Sequence, residues 1–175
     1  MSTYQIDPAH SSAQFKVRHL MISNVKGEFD KVIGTVNYDP ANPSASTVDA
    51  TIEVASISTR DEQRDAHLKS PDFFDVAQFP TITFKSKKIV KKGKQLEVTG
   101  DFTMHGVTRP VTFTVEPPAK QQKDPWGNTR TAATGVARLN RTDYGLKWNK
   151  VIEGGGNLVG EDVAIGISLE LVEKK

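Results

Sequence analysis

Period-two alternation constrains this chain more than any other feature, and it is clearest near the C-terminus. Val163, Ile165, Ile167, Leu169 and Leu171 fall on one face, with Ala164, Gly166, Ser168 and Glu170 between them. Successive side chains of a strand point to opposite faces, so this is a strand with one apolar face and one small or polar face. The pattern recurs through Val111, Phe113 and Val115, and through Leu96, Val98, Gly100 and Phe102. It recurs again in Val48, Ala50, Ile52 and Val54, and in Ala13, Phe15 and Val17. Phe29 to Tyr38 reads as a longer strand, with a bulge or bend expected at Gly34. Ile82 and Phe84 mark a further strand, and Thr131 to Leu139 one rich in small residues.

Turn chemistry separates these eight segments. Asp39-Pro40-Ala41-Asn42-Pro43 is a loop and Lys92-Gly93-Lys94 a hairpin tip. A longer hairpin loop runs from Pro117-Pro118 to Asp124-Pro125-Trp126-Gly127-Asn128, and Gly154-Gly155-Gly156-Asn157 marks another turn. Strands in hairpin succession form an antiparallel meander, and eight of them close most economically into a barrel, which leaves no edge exposed. The expected fold is all-β: a single domain over 1–175 built as an eight-stranded antiparallel up-and-down barrel. A short helical insertion interrupts it between the third and fourth strands. Thr59-Arg60-Asp61-Glu62 has capping-box form ahead of a helix-forming run to Lys69, and Ser70-Pro71-Asp72 reads as a second helix start. Leu68, Phe73, Phe74 and Val76 give this excursion an apolar side that suits a barrel mouth or rim.

Composition removes several function classes. A chain of 175 residues buries about 70% of its unfolded surface and needs no covalent staple. Cysteine is absent, which excludes disulfides, cysteine-based zinc sites and a cysteine nucleophile. The formal net charge is +2, with acids and bases intermixed, unlike the strong basic excess of a nucleic-acid binder. No apolar run approaches the ~20 residues of a membrane-spanning helix. The first residues, Met1-Ser2-Thr3-Tyr4-Gln5, lack the basic start and apolar stretch of a signal peptide, so the sequence as written points to the cytoplasm. A periplasmic location is the alternative if a signal peptide has been removed.

An eight-stranded barrel either fills its interior with side chains or leaves room for one ligand. The expected inward, ligand-facing residues are Phe15, Phe29, Ile52, Val54, Ile82, Phe84, Val98, Phe102, Val111, Phe113, Ile165 and Ile167. Alternation alone fits a solid core and a lined cavity equally well. Small residues at Gly34, Ala50, Gly100, Ala133, Gly135, Ala137 and Gly166 tilt the balance mildly toward a cavity, although they equally permit tight bends in the wall. A ligand in such a lumen must be long and apolar. Ten buried methylenes supply about 8 kcal/mol gross, which a small polar metabolite cannot match.

Polar constellations add little directional chemistry. His10, His19, His67 and His105 show no metal-ligand spacing, so no metal is expected. Ser11 and Ser12 beside His10 lack a nucleophile elbow, and no catalytic residue is expected. Gly154-Gly155-Gly156 lacks the Lys-Ser/Thr of a phosphate loop, and no cofactor is implied. Arg64, Arg109 and Arg141 are expected to pair with Asp65, Asp101 and Asp143, with a ligand head group as the alternative partner. Trp126 is placed in a loop at an opening, and Trp148 in the packing. Lys85, Lys87, Lys88, Lys91, Lys92 and Lys94 read as a solvated hairpin, with transient docking on an anionic membrane as the alternative.

Several motifs together resemble the YceI-like proteins. They are Tyr4-Gln5-Ile6-Asp7-Pro8-Ala9-His10-Ser11-Ser12, Phe15 to Met21 followed by Val25-Lys26-Gly27-Glu28-Phe29, and Arg64 to Ser70 with Asp72-Phe73-Phe74-Asp75. Phe79 to Phe84, Gly100 to Val111 and Arg141-Thr142-Asp143-Tyr144-Gly145-Leu146 complete the series. The resemblance runs almost end to end. It implies an elongated, lipocalin-like antiparallel barrel with a helical insertion. It also implies binding of a polyisoprenoid, such as the tail of an isoprenoid quinone, in an apolar pore. Many members are periplasmic, and a homodimer is a further implication. The expected function is therefore non-enzymatic binding of a long-chain isoprenoid or similar lipid for carriage or storage. An interaction module with a filled core, or an enzyme acting on lipid-like substrates, are the alternatives.

Overall fold

The alternating segments hydrogen-bond into one closed antiparallel barrel. The computed structural model describes residues 1–175, with β1 (Ser2–Ile6), β2 (Ser12–His19), β3 (Ser23–Phe29), β4 (Val32–Tyr38), β5 (Thr47–Glu53) and β6 (Ile57–Ser58) before the single α-helix, α1 (Glu62–Lys69). After it come β7 (Thr81–Lys92), β8 (Gln95–Met104), β9 (Val107–Val115), β10 (Gln122–Lys123), β11 (Thr129–Asn140) and β12 (Val159–Glu173).

These strands make eight staves. β1 and β2 are halves of one stave, since both lie along β12, with Tyr4 opposite Glu173 and Ser12 opposite Ser168. A 3-10 turn at Pro8–His10 divides them, capped by the Asp7 carboxylate, which accepts from the Ala9 N–H at 3.0 Å. β3 and β4 form the second stave, β5 and β6 the third, the latter broken by the turn Val54–Ser56. β7, β8, β9, β11 and β12 follow singly, each paired with the one before, and β12 closes the ring onto β1 and β2. The eight-stranded up-and-down barrel read from the sequence is the observed fold, with the helix between the third and fourth staves.

The seam between β9 and β11 is the shortest in the ring, with Gly135 opposite Val115 and Val136 opposite Thr114 alone in register. Beyond it the strands part, and the 3-10 turn Arg141–Tyr144 folds back over the β8–β9 wall. Tyr144 meets Phe102 edge-on at 5.7 Å, and His105 Nδ1 donates to the Tyr144 carbonyl at 2.9 Å. Chain direction sorts the loops to two ends. The α1 end carries the β2–β3 turn, α1 with residues 70–80, the β8–β9 turn and residues 141–158. The opposite end carries both termini, the β7–β8 hairpin and residues 116–128.

Three local expectations need correction. The N-cap of α1 is Asp61, whose carboxylate accepts from the Arg64 N–H at 3.1 Å. Thr59 instead lies outside the helix and donates its N–H and hydroxyl to Asp65, at 2.8 and 2.6 Å. Ser70-Pro71 opens no second helix. Overlapping turns from Ser70 send Phe73 and Asp75 N–H groups back to the Ser70 carbonyl, and Asp75 is left-handed at φ 49°. Gly34 keeps its register opposite Ala50, and the bulges fall instead between Ser86 and Lys88 and between Val159 and Val163. Gly34 is needed for close approach: a Cβ there would lie 2.1 Å from the Asp49 carbonyl oxygen.

Candidate functional site

Alternation places one face of every stave inside the ring, and two walls of the interior differ. On β7, β8 and β9 the inward residues Ile82, Phe84, Val98, Phe102 and Phe113 are buried, with Phe84 and Phe113 packed edge-on at 5.2 Å. On β2 and β12 the inward residues Phe15, Val17, Val163, Ile165 and Ile167 are only half-buried. Side chains on the inside of a closed barrel keep exposure only where the lumen is unfilled. A cavity of about 340 Å³ runs there, and 34 of its 44 lining residues are hydrophobic, so its complement is an apolar molecule.

Ten of the twelve residues expected to face a ligand line this cavity; Val54 and Val111 do not. Val54 opens the turn that breaks the third stave, which ends the strand alternation, and its side chain is 1% exposed in the core. Val111 lies on the stretch of β9 that β11 has left, beneath the wall covered by Tyr144, and is buried too. Lining residues from outside the strands were not identified as such from the sequence. Leu68, Phe73 and Phe74 come from α1 and the turns after it, and Trp148 from the loop after β11. Phe73, Trp148 and His67 form an aromatic triad, with Phe73 and Trp148 edge-on to His67 at 5.1 and 4.8 Å and 5.3 Å from each other, and His67 is fixed by Asp72 at 2.9 Å. For Leu68, Phe73 and Phe74 the signal was the apolar side of the helical excursion; Trp148, on its loop, carried none.

The arginine and histidine lining residues gather at the α1 end. Arg18 and His19 end β2, Arg64 and His67 come from α1, and Arg141 from the turn after β11; no carboxylate lines the cavity. The arginines are not ion-paired as expected. Arg141, 4% exposed, donates to the carbonyls of Gly160, Leu146 and Val159 at 2.7, 2.6 and 3.2 Å. Burial lowers its pKa from the ordinary guanidinium value. Arg64 donates to the Thr59 carbonyl and hydroxyl, and Arg109 to the Asp143 carbonyl. Arginine reaches several acceptors in fixed geometry, so these side chains pin the loops of the α1 end to the barrel. Arg18 is exposed, and Val25, Trp148, Leu158 and Val159 beside it are half-buried, so the lumen meets the surface at this rim.

The opposite end holds an ion cluster away from the lumen. Arg130 donates to Asp124 at 2.7 Å and to Asp7 and Glu170 at 2.8 Å each, and His10 stands 2.8 Å from Asp7. Hydrogen bonds from His10 and then Arg130 lower the Asp7 pKa, and the Asp7 bond raises that of His10. Arg130 also holds Asp124 well below the carboxylate range. Asp7, His10 and Glu170 could converge on a cation, but Arg130 already bridges both carboxylates. The lysine hairpin is at this end as well, with Lys87 paired to Asp101 at 3.0 Å and Lys92 to Glu97 at 3.3 Å. Trp126 tips the nearby loop at 79% exposure.

Such a lumen offers an apolar binding surface with its basic groups at one end. Among known proteins, the family model for the YceI-like domain matches residues 4–171. A UPF0312 protein of Vibrio cholerae is 44% identical over 147 residues, covering 82% of this chain and 77% of its own. The crystal structure of BcnA from Burkholderia cenocepacia superposes with a TM-score of 0.81 at 25% identity, covering 94% of this chain and 98% of that one. A polyisoprenoid binding domain from Saccharophagus degradans, implicated in plant cell wall breakdown, shares the fold with a TM-score of 0.68. Its identity is 15%, over 99% of this chain and 100% of that one.

Proposed function

The chain belongs to the YceI-like domain family, and on that premise we propose that its pore carries or stores a long apolar lipid, a polyisoprenoid or the tail of an isoprenoid quinone, without changing it chemically. The observation that supports this best is the lumen itself: an apolar tube with its cationic and imidazole groups confined to one end. A prenyl chain gains by burial alone, at about 0.8 kcal/mol per methylene, and asks for no hydrogen-bonding partner along its length. Its head belongs at the α1 end, where Arg64 and Arg18 can donate to a quinone carbonyl or another acceptor. The polyisoprenoid-binding description of the S. degradans domain lends support through the shared barrel.

Trp148 lines the lumen and Trp126 does not, so Trp126→Phe leaves a single reporter inside the pore. A long-chain ubiquinone should quench that fluorescence saturably at one molecule per chain, whereas a nucleotide or a short polar quinol should leave it unchanged. Absence of saturable quenching by any prenyl quinone or prenyl alcohol would refute the assignment.

A further inference from the structure

Eight large hydrophobic side chains are exposed on this molecule, and four of them sit on two adjacent loops at the α1 end. Leu20, Met21 and Ile22 form the β2–β3 turn, and Val151 lies on the loop after β11, with Ile22 at 77% and Val151 at 82% exposure. The loops are joined. The Leu20 N–H donates to the Leu158 carbonyl at 2.8 Å, Val151 bridges to Asn157, and a Cβ at Gly156 would stand 3.2 Å from Met21 Cγ. The turn is also strained, because Leu20 and Met21 are both left-handed, at φ 53° and 63°. Asn and Gly reach that region easily, whereas large apolar residues seldom adopt it. Bulky apolar residues held there against backbone preference are aimed outward at a cost in stability.

Charge around these side chains is one-sided. Across residues 18–26 and 145–158 the cations are Arg18, Lys26, Lys147 and Lys150, and the one acid is Glu153. Lys26 also faces Lys16 directly across the β2–β3 ladder, two like charges kept side by side. The strand ends that carry the first turn line the lumen through Arg18, His19 and Val25, and the second loop and the start of β12 line it through Trp148, Leu158 and Val159. An aliphatic tip inside a basic ring, continuous with an apolar pore, matches an anionic bilayer: lipid tails accept the tip, and phosphates face the ring. We propose that these two loops are the docking surface through which the protein seats its pore mouth on an anionic membrane and exchanges its lipid there. The proposal rests on the lipid-carrying function above and adds the surface and its partner. It places contact at the end opposite the lysine-rich β7–β8 hairpin.

Flotation with phosphatidylcholine vesicles, and with vesicles of phosphatidylcholine and phosphatidylglycerol in equal parts, tests it directly. The native chain should float with the anionic vesicles only. Met21→Asp with Ile22→Asp should abolish flotation. Lys147→Gln with Lys150→Gln should weaken partitioning roughly 30-fold at low salt, and Lys91→Gln with Lys94→Gln, on the far hairpin, should change nothing. Trp148 quenching by ubiquinone added from ethanol should persist in all three, which separates a failed dock from a failed pore and shows that the variants fold. Failure of the native chain to float, flotation of the aspartate variant at the native level, or loss in the hairpin variant alone would each overturn the proposal. Retained flotation with no quinone quenching would instead overturn the pore function and leave the docking surface standing.

Discussion

Ile165→Trp puts the open lumen to a quantitative test. Ile165 sits between Phe15 on β2 and Ala137 on β11, half-buried, with its side chain on the cavity. The indole brings about six more heavy atoms than the isoleucine side chain, and a ligand that must vacate as many carbon positions forfeits about 5 kcal/mol of burial. If the lipid recovers half of that by sliding along the tube, the loss is still about 2.5 kcal/mol, or roughly 70-fold in Kd. The stability of the free protein should move differently. Overpacking a filled core costs about 1–3 kcal/mol, which in a chain of this size lowers Tm by about 2–12 °C. An indole entering free volume makes new contacts instead, and Tm should hold or rise. Quinone titration and differential scanning calorimetry of the ligand-free protein read the two quantities. An unchanged Kd, or a Tm drop within that range, would refute the open lumen.

Three further outcomes follow from named contacts. Arg141→Met strips the partners from three carbonyls, so it should cost about 3 kcal/mol and speed amide exchange across 141–160 while leaving β7 and β8 protected; uniform exchange would remove its role as the pin of the rim. In Gly100→Ala the new Cβ would lie 2.4 Å from the Lys85 carbonyl oxygen and 2.7 Å from Phe84 Cζ, so the urea midpoint should fall by at least the equivalent of about 2 kcal/mol, and a midpoint unmoved would mean the wall is looser than described. Finally, the Asp7–His10 contact lowers the Asp7 pKa, with Arg130 adding to the effect, and raises that of His10. The Asp7 contribution to stability is therefore present above 3.8 and lost as pH falls through its lower folded value. The His10 contribution is present below 6.5 and lost as pH rises through its higher folded value. NMR titration should place His10 above 6.5 and return it toward 6.5 in Asp7→Asn, and no movement in that variant would contradict the pairing.

The barrel was legible because its signal is periodic. β12, β8 and β9 alternate cleanly, each inward face reads directly from the residue types, and ten of the twelve residues read as inward line the lumen. What escaped were the places where alternation stops. The turn at Val54–Ser56 moved Val54 out of phase with Ile52, and β1 is too short for Tyr4 and Ile6 alone to declare a strand. The rim was hidden for a different reason: Arg64, His67, Phe73 and Trp148 reach the pore from a helix, a turn and a loop, and no strand period connects them. Charge arithmetic misled over the arginines. Arg64, Arg109 and Arg141 each have an aspartate nearby in sequence, yet all three donate to backbone carbonyls that irregular loops leave without partners.

The central claim is that the lumen holds an intact long-chain lipid, and native mass spectrometry of the protein purified from its own host, with organic extraction of the same sample, meets it most directly. A mass increment of one prenyl lipid per chain, recovered unchanged in the extract and absent from Ile165→Trp, is the predicted result. A protein that arrives empty and takes up neither ubiquinone nor a long-chain prenyl alcohol would contradict it.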